Sequence, residues 1–190
     1  MVHSIEELVP VTNLAVHDDD RGCLFETIRS DDPNFIMFGQ SYVSKTLSGV
    51  VRGFHYHDMQ TDHFTVISGR AIFCFWTVPG CRDEDDHYDT GEYLAKVMKE
   101  HKARWDDELS PRSYDHILNL GAPWFKRIVV SGDRPVRIDV PPGVAHGYCA
   151  IGGDMILLNT VSEMYNADDP DEHRLSWDLF GTSIWAIENK

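Results

Sequence analysis

Residues 50–78 read VVRGFHYHDMQTDHFTVISGRAIFCFWTV, and this stretch indicates the fold. It contains three short runs that are apolar or alternate between apolar and polar residues, with turn residues such as Ser68-Gly69 between them. Val, Ile, Phe and Tyr are frequent in these runs, and their side chains suit a pleated, half-buried surface. The stretch therefore predicts three consecutive β-strands, at Val50–Tyr56, Phe64–Ser68 and Ala71–Val78.

The same pattern continues on both sides of this stretch. It predicts further strands at Leu24–Ile28, Phe35–Val43, Phe125–Ser131, Val136–Val140, Gly147–Ile151 and Met155–Val161. Turn signals rich in Gly, Pro and Asp separate these strands. About nine short strands with few helical segments favour an all-β sandwich or barrel, formed as one domain over residues 1–190.

Residues 79–124 break the strand pattern, because they are polar and acidic and then rich in helix-forming residues. Leu94, Val97 and Met98 fall near the i, i+3, i+4 spacing of an amphipathic helix. We interpret this segment as a partly helical insertion. Two roles stay open for it, namely covering a barrel edge and forming a lid over the barrel mouth.

Composition and charge exclude several classes of protein. The chain has 17 Lys+Arg against 31 Asp+Glu, a net charge of −14, and such a chain has no general attraction to nucleic acid or anionic lipid. Its four cysteines form no C-x-x-C pair, which is typical of reduced thiols. No signal peptide and no apolar run of about 18 residues is visible. These features predict a cytoplasmic protein.

Histidines and one aspartate form a candidate metal site. His55 and His57 are two residues apart and so leave the same face of a strand, and Asp62 begins the next strand. A turn at 141–143 leads into a strand that brings His146 back toward them. Three imidazoles and a carboxylate suit one divalent transition metal. Moreover, H-x-H followed by Asp62, and Pro141-x-Gly143-x-x-His146, resemble the two cupin motifs, and this resemblance implies that all four residues are metal ligands.

A second resemblance covers most of the chain. The matching segments are Asp20-Arg21-Gly22, Phe25-Glu26, Phe38-x-Gln40-x3-Ser44, Gly49–Tyr56, Pro141–Gly147, Tyr165, Leu175–Asp178 and Ile184-Trp185. Together they resemble the dTDP-4-dehydrorhamnose 3,5-epimerase family. The resemblance implies a cupin jelly roll, a homodimer, no organic cofactor, and a nucleotide-linked 4-keto-6-deoxyhexose as substrate.

The resemblance also implies roles for individual residues. The keto group acidifies the protons on the adjacent carbons, so a base can remove one while an enolate forms. His55 takes the place of this base, and Arg52 lies beside the diphosphate or the enolate oxygen. The positions of Arg21, Glu26 and Gln40 match nucleotide-binding residues, partly across the dimer interface.

Three of the family's residues are replaced. Asn159, thirteen residues after His146, stands where the family has its tyrosine acid, and it is counted among the substrate-binding residues. Asp62 stands in place of a lysine, and no Ser-x-Lys-Asp segment follows Trp185. The proton donor is therefore unassigned, and its candidates are Tyr42, Tyr56 and Tyr148.

Four hypotheses remain. The leading hypothesis is an epimerase or isomerase with His55 as a free base. The second is a metal-dependent cupin enzyme, either an oxygenase or a metal-assisted isomerase, in which His55 is a ligand. In the third, His55 and His57 form an acid–base pair without metal, as in the sugar 3,4-ketoisomerases. The fourth is a non-catalytic cupin that binds a sugar nucleotide. The sequence leaves open which sugar is used and whether C3, C5 or both are inverted.

Overall fold

Antiparallel strands dominate the computed structural model, which describes residues 4–76 and 125–187. In chain order the strands of this part are β1 (Val11–Asn13), β2 (Val16–Asp19), β3 (Gly22–Phe25), β4 (Gln40–Thr46), β5 (Val51–Tyr56), β6 (Asp62–Ser68), β7 (Arg70–Trp76), β8 (Phe125–Ser131), β9 (Val136–Val140), β10 (Ala145–Ala150), β11 (Met155–Val161) and β12 (His173–Arg174). A short helix, α1 (Ile5–Leu8), precedes them, and a 3-10 helix, Thr182–Trp185, follows.

Within the described residues the strands form two five-stranded sheets and one hairpin. The first sheet has the order β1-β9-β6-β11-β4, the second has the order β12-β5-β10-β7-β8, and β2 pairs with β3. Neighbouring strands are antiparallel throughout. This is the all-β jelly-roll architecture that the sequence predicts. The predicted insertion at 79–124 lies outside the described residues.

Predicted and observed strand bounds agree for three of the strands that follow residue 124. The predicted bounds of β8, β9 and β11 are those observed. By contrast, the predicted strand at Phe35–Val43 begins only at Gln40, and the exposed Ile36, Met37 and Phe38 precede it outside any ladder.

Two apolar clusters stabilise the sandwich. One lies between the sheets and includes Phe64, Phe73 and Leu157. The other lies on the outer face of the second sheet, where Phe180 and Trp185 of the C-terminal segment cover Phe54, Ile72, Trp76 and Phe125. Burying such rings contributes about 1.5–3 kcal/mol each. The C-terminal segment is therefore held against β5, the strand that presents His55.

A buried ionic network covers the outer face of the first sheet. Asp139 on β9 is 2.7 Å from His63 Nδ1 and accepts from Arg137 Nε at 2.8 Å. Arg137 also donates to Asp32 at 2.8 Å, so the network connects the segment before β4 to the sheet.

Among the described residues, no helix is long and apolar enough to cross a membrane.

Candidate active site

A cleft of about 650 Å³ opens where β4 of the first sheet faces β5 of the second. The first sheet contributes Gln40, Ser41 and Tyr42 to its walls. The second sheet and the turn after β5 contribute His55, His57, Met59 and Gln60. A segment between β11 and β12 completes the walls, with the carboxylate side chains Glu163, Asp169, Asp171 and Glu172 among its residues.

His55 and His57 line this cleft, and the buried His146 lies beside them, which is the arrangement that the sequence predicts. His55 on β5 and His146 on β10 are direct cross-strand partners, and their ring centroids are 4.2 Å apart. A ligand atom from each of His55, His57 and His146 lies within 4.8 Å of the other two. Gly53 and Gly147 allow this close approach, because a Cβ on Gly53 would lie 2.6 Å from the Cα of Gly147.

Hydrogen bonds to backbone carbonyls fix two of the imidazoles. His57 Nδ1 contacts the Asp171 carbonyl oxygen, and His146 Nδ1 lies 3.0 Å from the Val144 carbonyl oxygen. Because a carbonyl oxygen only accepts, both Nδ1 atoms donate and both Nε2 atoms are acceptors. Gln60 Nε2 lies 3.2 Å from His57 Nε2 and donates to it, whereas His146 Nε2 has no such donor among the described residues. Carbonyl-bound imidazoles of this kind are typical of oriented metal ligands.

The two lone pairs point toward a buried carboxylate. Asp62 Oδ2 lies 3.3 Å from His57 Nε2 and 3.5 Å from His146 Nε2. Neither Asp62 Oδ2 nor His146 Nε2 has a hydrogen-bond partner among the described residues. Asp62 Oδ1 is satisfied, since it accepts from Gln60 Nε2 at 3.0 Å and from Asn159 Nδ2 at 2.8 Å.

The two acceptors without a donor, Asp62 Oδ2 and His146 Nε2, face each other and require a cation between them, either a proton or a metal ion. Burial raises the pKa of Asp62, opposed by the charge of His57 and the hydrogen bond from Asn159, so a proton on this carboxyl is one solution. A divalent transition metal is the other, because imidazole nitrogens and a carboxylate oxygen are its usual ligands. The residues present therefore fit a metal ion.

Burial keeps two of the imidazoles neutral. It lowers the pKa of His55 to about 3, with a further contribution from His146, and it lowers the pKa of His146 to about 3, with a further contribution from His57. At neutral pH both side chains are uncharged. A neutral imidazole is the form required of a general base and also of a metal ligand.

Tyr42 lies in the cleft wall opposite the histidines. It is the direct cross-strand partner of Asn159, and Asn159 Nδ2 donates to the Tyr42 hydroxyl oxygen at 2.8 Å. Burial, reinforced by the charge of Asp62, raises the pKa of Tyr42 to about 12. The phenol therefore holds its proton at neutral pH.

The predicted substrate-binding residues do not all reach the cleft of their own chain. Gln40 lines it, whereas Asn159 is fully buried behind Tyr42. Arg52 reaches across the sheets to β4, where its Nε donates to Thr46 Oγ1 at 3.1 Å. Arg21 and Glu26 are exposed beside the β2–β3 hairpin, paired with Asp19 and Arg29.

Two features of the site were missed by sequence reasoning. Asp171 accepts backbone N–H bonds from Asp58, Met59 and Gln60 at 2.7–3.0 Å and so fixes the turn between β5 and β6. Gln60 fixes Asp62, as described above. No motif or periodicity marks Asp171, since its partners lie more than 100 residues earlier in the chain. Gln60 stands two residues before Asp62, and this proximity was the one available signal.

The chain is similar in sequence to proteins of polysaccharide and glycan biosynthesis. A family model described as the polysaccharide biosynthesis C-terminal domain matches residues 17–95. The spore coat polysaccharide biosynthesis protein SpsL of Bacillus subtilis is 30% identical over 171 residues, covering 90% of this chain and 89% of that protein. The probable low-salt glycan biosynthesis epimerase Agl13 of Haloferax volcanii is 31% identical over 180 residues, covering 93% and 89%.

Solved structures show the same fold. A dTDP-6-deoxy-D-glucose-3,5-epimerase from Legionella pneumophila, crystallised with dTDP-4-keto-L-rhamnose, superposes with a TM-score of 0.63 at 14% identity. The match covers 93% of this chain and 77% of that one. At this level of identity the likeness concerns the fold, which is the jelly roll described above.

Proposed function

The chain belongs to the dTDP-4-dehydrorhamnose 3,5-epimerase family as a divergent member, and from this membership we propose that it epimerises or isomerises a nucleotide-linked 4-keto-6-deoxyhexose. The relative from Haloferax volcanii is itself described as a probable epimerase of glycan biosynthesis. The observation that carries the proposal is the neutral His55 in the wall of a cleft between two sheets.

The proposed chemistry begins with removal of a proton from the carbon beside the keto group. His55 is uncharged and lines the cleft, so its lone pair is available to take this proton. The C–H electron pair moves toward the keto oxygen and forms an enolate. Return of a proton to the other face then inverts the centre.

The experiment is solvent deuterium uptake at C3 and C5 of dTDP-4-keto-6-deoxyglucose, followed by NMR. We expect uptake with the wild-type protein and its loss in His55→Ala. The thermal midpoint of the variant is measured alongside, so that loss of activity is distinguished from unfolding. Uptake that survives the substitution in a folded variant would contradict the role of His55.

A second protomer is part of the proposal, because the charge of the cleft does not suit a diphosphate. Among the described residues that line it, four are carboxylates and none is lysine or arginine. Binding a diphosphate needs cationic donors, and arginine supplies two parallel hydrogen bonds. We assign this role to Arg21 of a partner chain, since Arg21 is exposed on the β2–β3 hairpin.

Exposed apolar residues support a homodimer. Leu24, Ile36 and Phe38 are each more than 60% exposed, and β4 is an edge strand of its sheet as far as the structure describes it. Contiguous exposed apolar surface and an open edge are typical of a protein interface. Sedimentation equilibrium is expected to give twice the chain mass, and a monomer at micromolar concentration would contradict the assignment.

The second candidate function is a metal-assisted reaction, an isomerisation or an oxygenation. The observation that favours it is the convergence of His57 Nε2, His146 Nε2 and Asp62 Oδ2 on one point. In this version His55, His57, Asp62 and His146 hold the ion, and a bound metal supplies Lewis acidity toward the substrate carbonyl. His55 would then be a ligand and would not be a free base.

Elemental analysis of untagged protein, purified without chelator, distinguishes the two candidates. About one equivalent of a transition metal, lost in His57→Ala and in Asp62→Ala, supports the metal enzyme. Full epimerase activity in metal-free protein supports His55 as the base.

A further inference from the structure

We propose that Tyr42 is the acid that returns the proton to the substrate, on the face opposite to His55. This inference rests on the proposed epimerase function and deepens it by naming the donor. Three features support it, namely the position of Tyr42 in the cleft, the direction of its hydroxyl bond, and the surroundings of the other two candidate tyrosines.

Tyr42 and His55 lie on opposite walls of one cleft. Tyr42 belongs to β4 of the first sheet and His55 belongs to β5 of the second, and both side chains line the cavity of about 650 Å³. Inversion at a carbon requires that the proton leave from one face and return to the other. Two groups on facing sheets satisfy this requirement for a sugar held between them, whereas two groups on one wall do not.

Asn159 fixes the direction of the Tyr42 hydroxyl. The Asn159 Nδ2 atom has two hydrogens, and it lies 2.8 Å from Asp62 Oδ1 and 2.8 Å from the Tyr42 oxygen. Because the carboxylate oxygen accepts one of these hydrogens, the tyrosine oxygen accepts the other. The hydroxyl hydrogen of Tyr42 is thereby left for a different acceptor.

That acceptor is not part of the protein that the structure describes. Over residues 4–76 and 125–187, the Tyr42 hydroxyl has the one hydrogen bond from Asn159. Its side chain borders the cleft, so the hydrogen is available to a group bound there. A phenol whose oxygen accepts one hydrogen bond can donate its own hydroxyl proton to a group bound in the cleft.

The other two tyrosines that the sequence offers as donors lie outside the cleft. A further tyrosine, Tyr165, borders it but is 65% exposed and lies on the segment after β11, not on the sheet that faces His55. The Tyr148 hydroxyl lies 3.2 Å from Ser44 Oγ, and its side chain is buried in the core between the sheets. Tyr56 is 2% exposed and stacks on His173, with ring centroids 4.7 Å apart. Neither of them lines the cleft, so neither can reach a substrate there.

The proton transfers balance over one turnover. The C–H bond beside the keto group breaks, His55 takes the proton, and the electron pair forms the enolate. The O–H bond of Tyr42 then breaks as a new C–H bond forms on the other face and the keto group is restored. The resulting phenolate and imidazolium exchange one proton through solvent, which returns both residues to their starting state.

The test follows deuterium uptake and inversion separately in Tyr42→Phe, with dTDP-4-keto-6-deoxyglucose in D₂O. We expect the inverted product to form at least about 100-fold more slowly, while His55 continues to exchange the proton on its own face with retention of configuration. Tyr148→Phe is the matched control, because it removes a phenol hydroxyl from the core, and it should exchange and invert at rates near wild type.

Each alternative outcome overturns the proposal in a recognisable way. Inversion at the wild-type rate in Tyr42→Phe would show that another group donates the proton. Loss of both exchange and inversion in a folded Tyr42→Phe would show that Tyr42 orients the substrate and does not return the proton. Absence of exchange in the wild-type protein would instead reject the epimerase function, and the role of Tyr42 with it.

Discussion

Two buried aspartates on neighbouring strands have opposite surroundings. Asp62 on β6 faces the lone pairs of His57 and His146, whereas Asp139 on β9 accepts from Arg137 and Asn34. Asp62 Oδ2 therefore has no donor among the described residues, while the charge of Asp139 is paired. The same substitution at the two positions should have effects of opposite sign.

We expect Asp62→Asn to raise the free energy of unfolding of metal-free protein by about 1–2 kcal/mol, because an amide can donate to an imidazole Nε2. Asp139→Asn should lower it by about 3 kcal/mol, because it leaves the Arg137 charge without its buried partner. Urea unfolding in the presence of chelator measures both. A destabilised Asp62→Asn would contradict the convergence of lone pairs.

The pKa of Asp139 also predicts how the stability of the protein depends on pH. Burial would raise its pKa, but hydrogen bonds from His63, Arg137 and Asn34 outweigh burial and hold the pKa below its usual value. A carboxyl whose pKa is lower in the folded state stabilises the fold above the unfolded pKa of about 3.9 and loses this effect as the pH falls through the folded value.

Wild-type protein should therefore lose stability below about pH 4 more steeply than Asp139→Asn does. The urea midpoints of both proteins, measured at about every half pH unit between about pH 2.5 and pH 7, check the prediction. Parallel curves for the two proteins would show that Asp139 does not contribute to the acid dependence.

At the scale of the elements, the turn between β5 and β6 depends on a residue far along the chain. Asp171 accepts three consecutive backbone N–H groups of this turn, and its carbonyl oxygen holds His57. Asp171→Asn replaces one acceptor oxygen by a donor that faces backbone N–H groups. We expect a loss of about 1–3 kcal/mol and faster hydrogen exchange at the amides of Asp58, Met59 and Gln60.

Asp169→Asn is the matched control for this turn. Asp169 lies two residues earlier in the same segment, is exposed, and borders the cleft. Its substitution should leave both the unfolding free energy and the exchange of the three amides unchanged. Equal protection of these amides in Asp171→Asn and in the wild-type protein would contradict the role given to Asp171.

Strands of five to seven residues that are rich in apolar side chains could be predicted from the sequence, as the bounds of β8, β9 and β11 show. The shorter β2 (VHDD) and β12 (HR) could not, because polar strands of two to four residues leave no periodic signal. Their pairing depends on partners supplied by the tertiary structure.

The same distinction applies to the site. The convergence of His55, His57 and His146 was predictable, because strand alternation and one turn determine it. The place of Tyr42 was not, since Asn159 stands 117 residues further along the chain and meets it only through the register of β4 and β11. Cross-strand contacts of this kind are invisible to local patterns.

At the scale of the whole molecule, the proposed dimer divides each site between two chains. His55 lies in the cleft of its own chain, whereas Arg21 is exposed on the β2–β3 hairpin and the described cleft has no arginine or lysine. If Arg21 binds the diphosphate across the interface, one site combines His55 of one chain with Arg21 of the other. A residue pair in different chains can be tested by subunit complementation.

We expect Arg21→Ala and His55→Ala to be inactive separately and to recover activity when they are unfolded and refolded together. A mixed dimer contains one site with both residues intact, so a statistical mixture should reach about a quarter of wild-type activity. The control mixture combines the His55→Ala variant with the double variant that carries both Arg21→Ala and His55→Ala. No dimer in this mixture has an intact site, so it should stay inactive. If Arg21 acted within its own chain, each site of the mixed dimer would lack one of the two residues, and the first mixture would stay inactive as well.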